Sequence, residues 1–282
     1  MITLVNFADK KFKKKRNWSS FTAKLFGKVN KVIKYGPEDI DKAYIEKNKE
    51  SVKYRDKGFG NYFWKPFIVN KALNEINDGE YLFYADSGTL FIKTVVPLIK
   101  HMEKQEKNIM CFRLPLIEKQ WTKRDAFLLM DCDKAYYKDS TQIMGGFIIL
   151  KKCKESMEFI NQWIKFSSDN RILSDDENVM GKSNDREFIA HRHDQSVLSL
   201  LSKKHSNVLI EGDITDYGCF PYRYINNLNN MDKKCLYDKN IINNPEINAF
   251  RGTILLNRKN DPVIYFCKYL VRQILFKIGI RK

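Results

Sequence analysis

The hydrophobic and polar positions of this chain follow two different periods, which predict strands and helices in alternation. A largely apolar stretch at residues 2–8 predicts a central strand, and an unbroken apolar run at 81–85 predicts a strand that is buried on both faces. Between them, Ile68, Ala72 and Ile76 repeat at four-residue spacing, as on one face of a helix. Strands and helices in this order favour an α/β fold with a parallel sheet.

The alternation continues along the chain. A stretch at 29–35 predicts a second strand, and turn chemistry at Gly36-Pro37 starts a helix. Residues 168–184 are polar and are expected to form a loop. Further strands are predicted at 109–112, 142–150 and 208–210. Helices are predicted at 90–107, with an interruption near Pro97, and from 262 to the C-terminus. A third helix is predicted at 155–167, with Met157, Ile160 and Ile164 facing inward.

Residues 57–88 show the clearest order of elements. Pro66 suits the first turn of the predicted helix, where a missing N–H breaks no hydrogen bond. Gly79 is the natural left-handed residue after the end of that helix. Asp86 directly follows the strand at 81–85. Ligands of open α/β sheets bind outside the carboxyl ends of the strands, so Asp86 is well placed for chemistry.

Composition limits the class of protein. With 282 residues, of which 43% are apolar and 13% aromatic, the chain can bury a core. Its net charge of +16 indicates an anionic partner, namely nucleic acid, an anionic membrane or a phosphorylated substrate. The alternative is that the charge reflects only a lysine-rich, solvated surface. The six cysteines have no zinc spacing and are consistent with a reducing cytoplasm. We expect no signal peptide and no membrane-spanning segment.

Three motifs suggest a family. The runs FGNYFWKP at 59–66, YADSG at 84–88 and HRHDQS at 191–196 together resemble bacterial glycosyltransferases of the GT-A type, especially those that build capsule or lipopolysaccharide sugars. The resemblance implies a Rossmann-related mixed sheet flanked by helices, over a catalytic domain at 1–260. It also implies transfer of a sugar from a nucleotide-diphosphate sugar, expected to be UDP-linked, to a saccharide or lipid-linked saccharide acceptor.

The resemblance also implies a donor site at one edge of the sheet. The residues implied there are Asn6, Phe7 and Ala8, Trp64 and Lys65, Asp86, Ser87 and Gly88, and Gly145 and Gly146 beside the donor sugar. From the residues alone, 2–8 is equally a core strand without ligand contact, and the paired glycines are equally a plain β-bulge. Asp86 is the first catalytic candidate.

The leaving diphosphate must be stabilised by Mn²⁺ or Mg²⁺ or by basic groups. Enzymes of this type usually place Asp-x-Asp after a central strand, but here Gly88 stands where the second acid is expected. Two hypotheses stay open. Either Asp86 binds a divalent cation, with Asp194 or a histidine completing the ligands, or Asp86 holds sugar or ribose hydroxyls while Lys65 and other cations neutralise the diphosphate.

The third motif contains the second catalytic candidate, Asp194, as a base toward the acceptor or as a group that orients the sugar. The alternative makes Asp194 only the N-cap of a helix with Val197, Leu198 and Leu201 inward. The residues expected near the acceptor, or supporting those that touch it, are Lys123, Arg124, Asp125, His191, His193 and Gln195. The alternative for 118–125 is a helix start with Thr122 as N-cap and Asp125 at the third position.

The C-terminal segment 261–282 is apolar and contains five basic residues. It predicts either a helix docked on the core or a contact with anionic lipid at the inner face of the plasma membrane. Two other classes of function compete. A nucleic-acid-binding α/β protein would fit the charge, although no known module is recognisable, and a scaffold protein would make the three motifs coincidental. The sequence favours a glycosyltransferase without a nucleic-acid partner.

Overall fold

The structure is a computed structural model that describes residues 1–53, 58–221, 223–224, 234–257 and 260–277. Its strands are β1 (Ile2–Phe7), β2 (Lys31–Tyr35), β3 (Tyr81–Ala85), β4 (Thr89–Phe91), β5 (Ile109–Ile117), β6 (Thr141–Ile143), β7 (Phe147–Lys151), β8 (Val208–Glu211) and β9 (Ile254–Leu256). Within the described residues, seven of them form one mixed sheet in the order β2-β1-β3-β7-β5-β6, with β8 also paired to β5. β4 and β9 form a separate antiparallel pair.

Several strand ends meet at one edge of the sheet. β1 pairs in parallel with β2 and β3, so the carboxyl ends of these three strands point the same way. β7 is antiparallel to β3 and places its first residue, Phe147, opposite Ala85. We call the edge formed by the ends of β1 and β3 and the start of β7 the carboxyl edge.

Helices cover both faces of the sheet. They are α1 (Lys13–Thr22), α2 (Lys42–Lys47), α3 (Lys49–Val52), α4 (Trp64–Asn74), α5 (Val96–Lys104), α6 (Arg124–Leu129), α7 (Ala135–Lys138), α8 (Lys154–Ser167), α9 (Asn170–Leu173), α10 (Asp194–Lys204), α11 (Asp216–Cys219), α12 (Lys239–Asn243) and α13 (Pro262–Lys277). A π-helical turn, Ala23–Gly27, extends α1.

The strands β1 and β3 are buried on both faces, as predicted from the central strand at 2–8 and the unbroken apolar run at 81–85. In β3, Leu82 and Tyr84 face a core that includes Ile68 and Ala72 of α4 and also α8 and α10. Phe83, on the opposite face, packs in a second core with parts of β4 and α5. Two of the three predicted stripe positions, Ile68 and Ala72, therefore lie on α4 as expected, and Ile76 is buried in the same core but follows the end of the helix; Pro66 lies in the first turn of α4.

Several local predictions were wrong, and the reasons are physical. The predicted helix at 90–107 begins only at Val96, because residues 89–91 pair with β9 instead; Pro97 lies in the first turn of α5 rather than interrupting a helix. The strand predicted at 142–150 is two strands, β6 and β7, separated by the turn that contains the two glycines. Gly79 is left-handed (φ 80°), but α4 has already ended at Asn74, so this glycine belongs to the turn before β3.

The prediction that Thr122 caps a helix was also wrong. Lys123 precedes α6, and no side chain caps it. The Thr122 hydroxyl instead donates to Glu118 at 2.5 Å. Asp125 accepts hydrogen bonds from the backbone of Val179 and Met180, so it anchors the loop before α10.

The C-terminal helix α13 is docked on the domain. Phe266 lies 6.5 Å from Trp18 and 5.7 Å from Phe26, measured between ring centroids. Residues 278–282 of the predicted basic segment lie outside the described residues. Among the helices that the structure describes, none is long and apolar enough to cross a membrane.

Candidate active site

The carboxyl edge brings together charged side chains from three elements. Asp86 follows β3, and its backbone N–H donates to the carbonyl of Gly146 at 3.0 Å. Lys65 is the second residue of α4, and Asp194 is the first residue of α10. The cluster forms because α4, α10 and the end of β3 pack around the same strand ends.

Lys65 is the centre of this cluster and is only 2% exposed. Its Nζ donates to Asp194 Oδ2 at 2.5 Å and to the Gly145 carbonyl at 2.9 Å. The same nitrogen lies 3.5 Å from Asp86 Oδ1. One buried ammonium thus contacts two carboxylates.

Burial and charge oppose each other in this group. Burial lowers the pKa of the Lys65 ammonium, but the Asp194 and Asp86 carboxylates outweigh burial, so the pKa is raised and Lys65 stays charged. Burial raises the pKa of the Asp194 carboxyl, against the opposite effect of Lys65. Asp194 is therefore more basic than an exposed carboxylate, and basicity is what a proton acceptor requires.

Asp86 is held at one oxygen and open at the other. The Tyr84 hydroxyl donates to Oδ1 at 2.7 Å, which is the oxygen that faces Lys65. No hydrogen bond to Oδ2 is present within the described ranges, and the side chain is 46% exposed. Burial and the Asp86 charge raise the pKa of Tyr84 well above its usual value, so its hydroxyl remains a donor. Asp86 can therefore contact a ligand without losing its support.

These residues fit a divalent cation only if a substrate completes its ligands. In the part of the chain that the structure describes, no group of three or more His, Cys, Asp or Glu side chains could hold a metal ion. Asp194 is committed to Lys65, and His193 Nε2 lies 3.0 Å from Asp175. Mg²⁺ is commonly held by one or two carboxylates plus substrate phosphates. The open oxygen of Asp86 fits that arrangement.

The three glycines of the predicted donor site serve different contacts. A Cβ at Gly145 would lie 2.9 Å from the Cβ of Gln195, and a Cβ at Gly146 would lie 3.2 Å from Asp86 Oδ2. Both glycines therefore let the turn approach the charged cluster closely. A Cβ at Gly88 would instead lie 2.8 Å from the carbonyl of Asn257, so the space beside Gly88 is filled by backbone of the C-terminal region.

An aromatic pair lies beside the cluster, at the end of β1. The rings of Phe7 and Trp64 stack with centroids 3.8 Å apart. Trp64 Nε1 donates to the Gly58 carbonyl at 2.9 Å. The residues from Gly58 to Tyr62 all have positive φ, a conformation that costs non-glycine residues about 1–2 kcal/mol each. Such strain persists where surrounding packing enforces it, often at functional sites.

Comparison with known proteins identifies the architecture. The chain superposes on an active-site mutant of LgtC with a TM-score of 0.51 and 10% identity, covering 92% of this chain and 88% of that one. The chain has the GT-A fold. The bifunctional glycosyltransferase WbbM gives a TM-score of 0.51 at 8% identity. That superposition covers 92% of this chain but only about half (46%) of the WbbM chain. A structure of the galactosyltransferase LgtC with donor and acceptor sugar analogues gives 0.45 at 12% identity, over 91% and 87% of the two chains. No protein-family model and no curated protein matches.

On this GT-A scaffold, the alternative that Asp194 is only an N-cap is wrong. The cap position of α10 is His193, which has a φ of 48° and makes no capping hydrogen bond through its side chain. Asp194 is the first helical residue and directs its carboxylate to Lys65. The predicted inward positions of α10, Val197, Leu198 and Leu201, are buried as expected.

The remaining donor-site predictions fall at the same edge, but not all face open space. Asn6 is fully buried, and its amide donates to Ser20 Oγ at 3.2 Å. Ala8 is buried and its N–H donates to the Tyr35 carbonyl. Ser87 is half-buried between Asp86 and Gly88. Whether these residues contact a donor remains a prediction.

The residues predicted near the acceptor form a second cluster. His191 Nδ1 accepts a hydrogen bond from the Lys123 backbone at 3.2 Å, and Lys123 Nζ donates to the Asp176 carbonyl. Arg124 donates to Asp133 at 2.9 Å. The two Lys123 contacts join the start of α6 to the segment that leads into α10, whereas the Arg124 contact stays within α6 and the loop after it. Gln195, from the same predicted set, lies at the charged cluster, where it accepts a hydrogen bond from the Gly145 N–H at 3.2 Å.

Two tyrosines of the site, Tyr62 and Tyr84, were not predicted from the sequence. Tyr84 supports Asp86, and the rings of Tyr62 and Tyr84 lie 5.0 and 5.5 Å from the Lys65 ammonium. Aromatic rings at such distances attract a cation. A signal was available for Tyr84, because residues two apart on a strand share a face. Tyr62 carried no comparable signal.

Proposed function

We propose that this chain is a glycosyltransferase that moves a sugar from a nucleotide-diphosphate sugar, UDP-linked, to a saccharide acceptor. The observation that supports the proposal most is the Lys65 ammonium between Asp86 and Asp194, at the carboxyl edge of a GT-A fold. Two solved structures that share this fold at a TM-score of 0.51 are of LgtC and of the glycosyltransferase WbbM.

The chemistry requires charge stabilisation, orientation and removal of a proton. Asp86, with one open oxygen and a half-exposed side chain, contacts the donor. Asp194 accepts the proton of the acceptor hydroxyl if the configuration inverts, or orients the sugar if it is retained. Lys65 holds both carboxylates in place, and its charge opposes the rise in the pKa of Asp194 that burial causes.

A divalent cation, Mn²⁺ or Mg²⁺, is part of the proposal. Asp86 would hold it through the open oxygen, with diphosphate oxygens completing the ligands. The ion would supply Lewis-acid stabilisation of the leaving group.

We also propose that the acceptor belongs to capsule or lipopolysaccharide synthesis.

A further part of the proposal is that the protein contacts anionic lipid at the inner face of the plasma membrane. The exposed side of α13 carries Ile264, Val271 and Ile274, and Phe21 and Leu25 are exposed on the adjoining α1 region. Apolar side chains of this kind, in a protein with a net charge of +16, suit an anionic surface. Flotation with phosphatidylglycerol vesicles, but not with phosphatidylcholine, is expected; Val271→Asp/Ile274→Asp should weaken it. Equal recovery with both lipids would contradict the proposal.

The decisive experiment is a nucleotide-sugar screen by thermal shift, followed by assays of sugar release and transfer. A ligand at about 100 times its Kd stabilises a protein by roughly 2.7 kcal/mol. We expect a shift with at least one UDP-sugar and retention on UDP-agarose. Strong binding to heparin at moderate salt, with no shift and no turnover for any nucleotide sugar, would refute the proposal in favour of a nucleic-acid-binding protein.

A further inference from the structure

A fully buried carboxylate lies behind the charged cluster. Glu118 is 0% exposed and begins the 3₁₀ turn Glu118–Gln120. Lys203 donates to it at 2.6 Å, and the hydroxyls of Thr122 and Ser199 donate as well. Because Lys203 and the two hydroxyls all donate to Glu118, this buried carboxylate acts only as a hydrogen-bond acceptor.

The fourth donor to Glu118 starts a chain of hydrogen bonds that reaches Lys65. Gln142 Nε2 donates to Glu118 at 3.3 Å. Gln142 Oε1 accepts from Gln195 Nε2 at 2.7 Å. Gln195 Oε1 accepts from the Gly145 N–H at 3.2 Å, and the Gly145 carbonyl accepts from Lys65.

The direction of this chain is fixed at both ends. Glu118 can only accept, so the amide nitrogen of Gln142 must face it and the amide oxygen must face Gln195. The Gly145 N–H can only donate, so Gln195 must present its oxygen there. Turning either amide around would place two donors or two acceptors against each other, which is costly in a buried site.

We propose that Glu118 and Gln142 are positioning residues: they set the orientation of the Gln195 amide, which holds Gly145 against Lys65 and Asp194. Gly145 packs closely against Asp194, because a Cβ at Gly145 would lie only 3.2 Å from Asp194 Oδ2. The role in turnover rests on the proposed function. The hydrogen-bond relay itself does not, and it can be measured without any substrate.

The test uses one variant, one rescue and one control. Gln142→Met keeps the length of the side chain but removes the relay bonds to Glu118 and Gln195, together with a weak bond from Gln142 Nε2 to the Trp121 carbonyl at 3.4 Å. Glu118→Gln/Gln142→Glu exchanges the two groups, so that a carboxylate still accepts from Gln195 and the net charge is unchanged. Ser156→Ala is the control: Ser156 is buried and hydrogen-bonded at the far end of β7, away from the carboxyl edge.

Two quantities are measured, namely amide hydrogen exchange at Gly145 by NMR, and kcat and donor KM in the sugar-transfer assay. In Gln142→Met we expect exchange at Gly145 to be about tenfold faster and kcat about tenfold lower, with KM within about twofold. The exchanged pair should restore both, and Ser156→Ala should change neither. If the exchanged pair does not fold, the contrast between Gln142→Met and Ser156→Ala decides.

Unchanged protection of Gly145 in Gln142→Met would overturn the relay. Faster exchange with unchanged kcat would overturn its positioning role. A loss of kcat in Ser156→Ala as large as in Gln142→Met would show that general destabilisation is the cause. A wild-type protein that turns over no nucleotide sugar would count against the proposed function, and the exchange measurement would then decide the relay alone.

Discussion

Replacing Lys65 with methionine tests the physical basis of the site. Lys65→Met keeps the length of the side chain and removes its charge, which leaves the carboxylate of Asp194 buried without its cation. Removing one partner of a buried ion pair costs about 3–5 kcal/mol, because the other charge is left uncompensated. Since small domains have a stability of roughly 5–15 kcal/mol, the variant should fold but be much less stable.

The loss should depend on pH, and its sign follows from Asp194. Without Lys65, burial and the nearby Asp86 charge both raise the pKa of Asp194 in the folded state above its unfolded value. Such a group contributes its full stability below the unfolded pKa of about 3.9, and this stability is lost as pH rises through the folded pKa. Lys65→Met should therefore be closer to wild type in urea unfolding at pH 5 than at pH 7.5.

Lys71→Met provides a matched control on the same helix. Lys71 is half-buried, donates to the Asp39 carbonyl at 2.8 Å and lies 5.4 Å from the Tyr35 ring, but it has no ion pair in the described residues. We expect this variant to lose less than about 1 kcal/mol at either pH. If Lys65→Met lost no more than Lys71→Met and showed the same pH dependence, the pairing of Lys65 with Asp194 would contribute nothing to the fold.

Three further predictions follow from the same geometry. Asp86→Asn should keep the fold and lower turnover at least about tenfold, or about 1.4 kcal/mol of transition-state stabilisation; near-normal turnover of a UDP-sugar would remove Asp86 from the mechanism. EDTA should abolish turnover and Mn²⁺ or Mg²⁺ should restore it, whereas full activity in excess chelator would leave charge stabilisation to basic side chains. Burial, with the neighbouring His193 and Lys123 charges, lowers the pKa of His191 to about 3, so stability should be complete above pH 6.5 and fall as the pH drops towards 3. Urea unfolding should show a loss of about 2 kcal/mol at pH 5 relative to pH 7 that His191→Gln removes; an identical pH profile for the variant would refute this.

The sequence could predict the elements whose signals are local. The bounds of β3 agree with the apolar run at 81–85, because a strand buried on both faces needs an uninterrupted apolar segment. The position of Asp86 at the end of that strand followed directly. The inward face of α10 was predicted for the same reason, since three apolar residues at helical spacing have to face the core.

What failed depended on partners that are distant in the sequence. Residues 90 and 91 were predicted as part of a helix because nothing local shows that β9, more than 160 residues later, pairs with them. Asp194 was open to interpretation as an N-cap because its contact with Lys65 joins two elements 129 residues apart. Gln142 and Glu118 were not predicted as site residues, because a relay of buried polar side chains leaves no periodic pattern in the sequence.

The glycine that replaces the second acid of Asp-x-Asp can now be explained by packing. Asn257, at the end of β9, places its carbonyl 2.8 Å from where a Cβ at position 88 would stand, and its N–H donates to the Gly88 carbonyl. An aspartate at 88 would have to displace this backbone, so the β4–β9 pair and a second acid exclude each other in this fold. With that acid absent, the nearest carboxylate that shares a cation with Asp86 is Asp194, and the cation they share is Lys65. The glycine at 88 is therefore a consequence of how the C-terminal region packs against the end of β3.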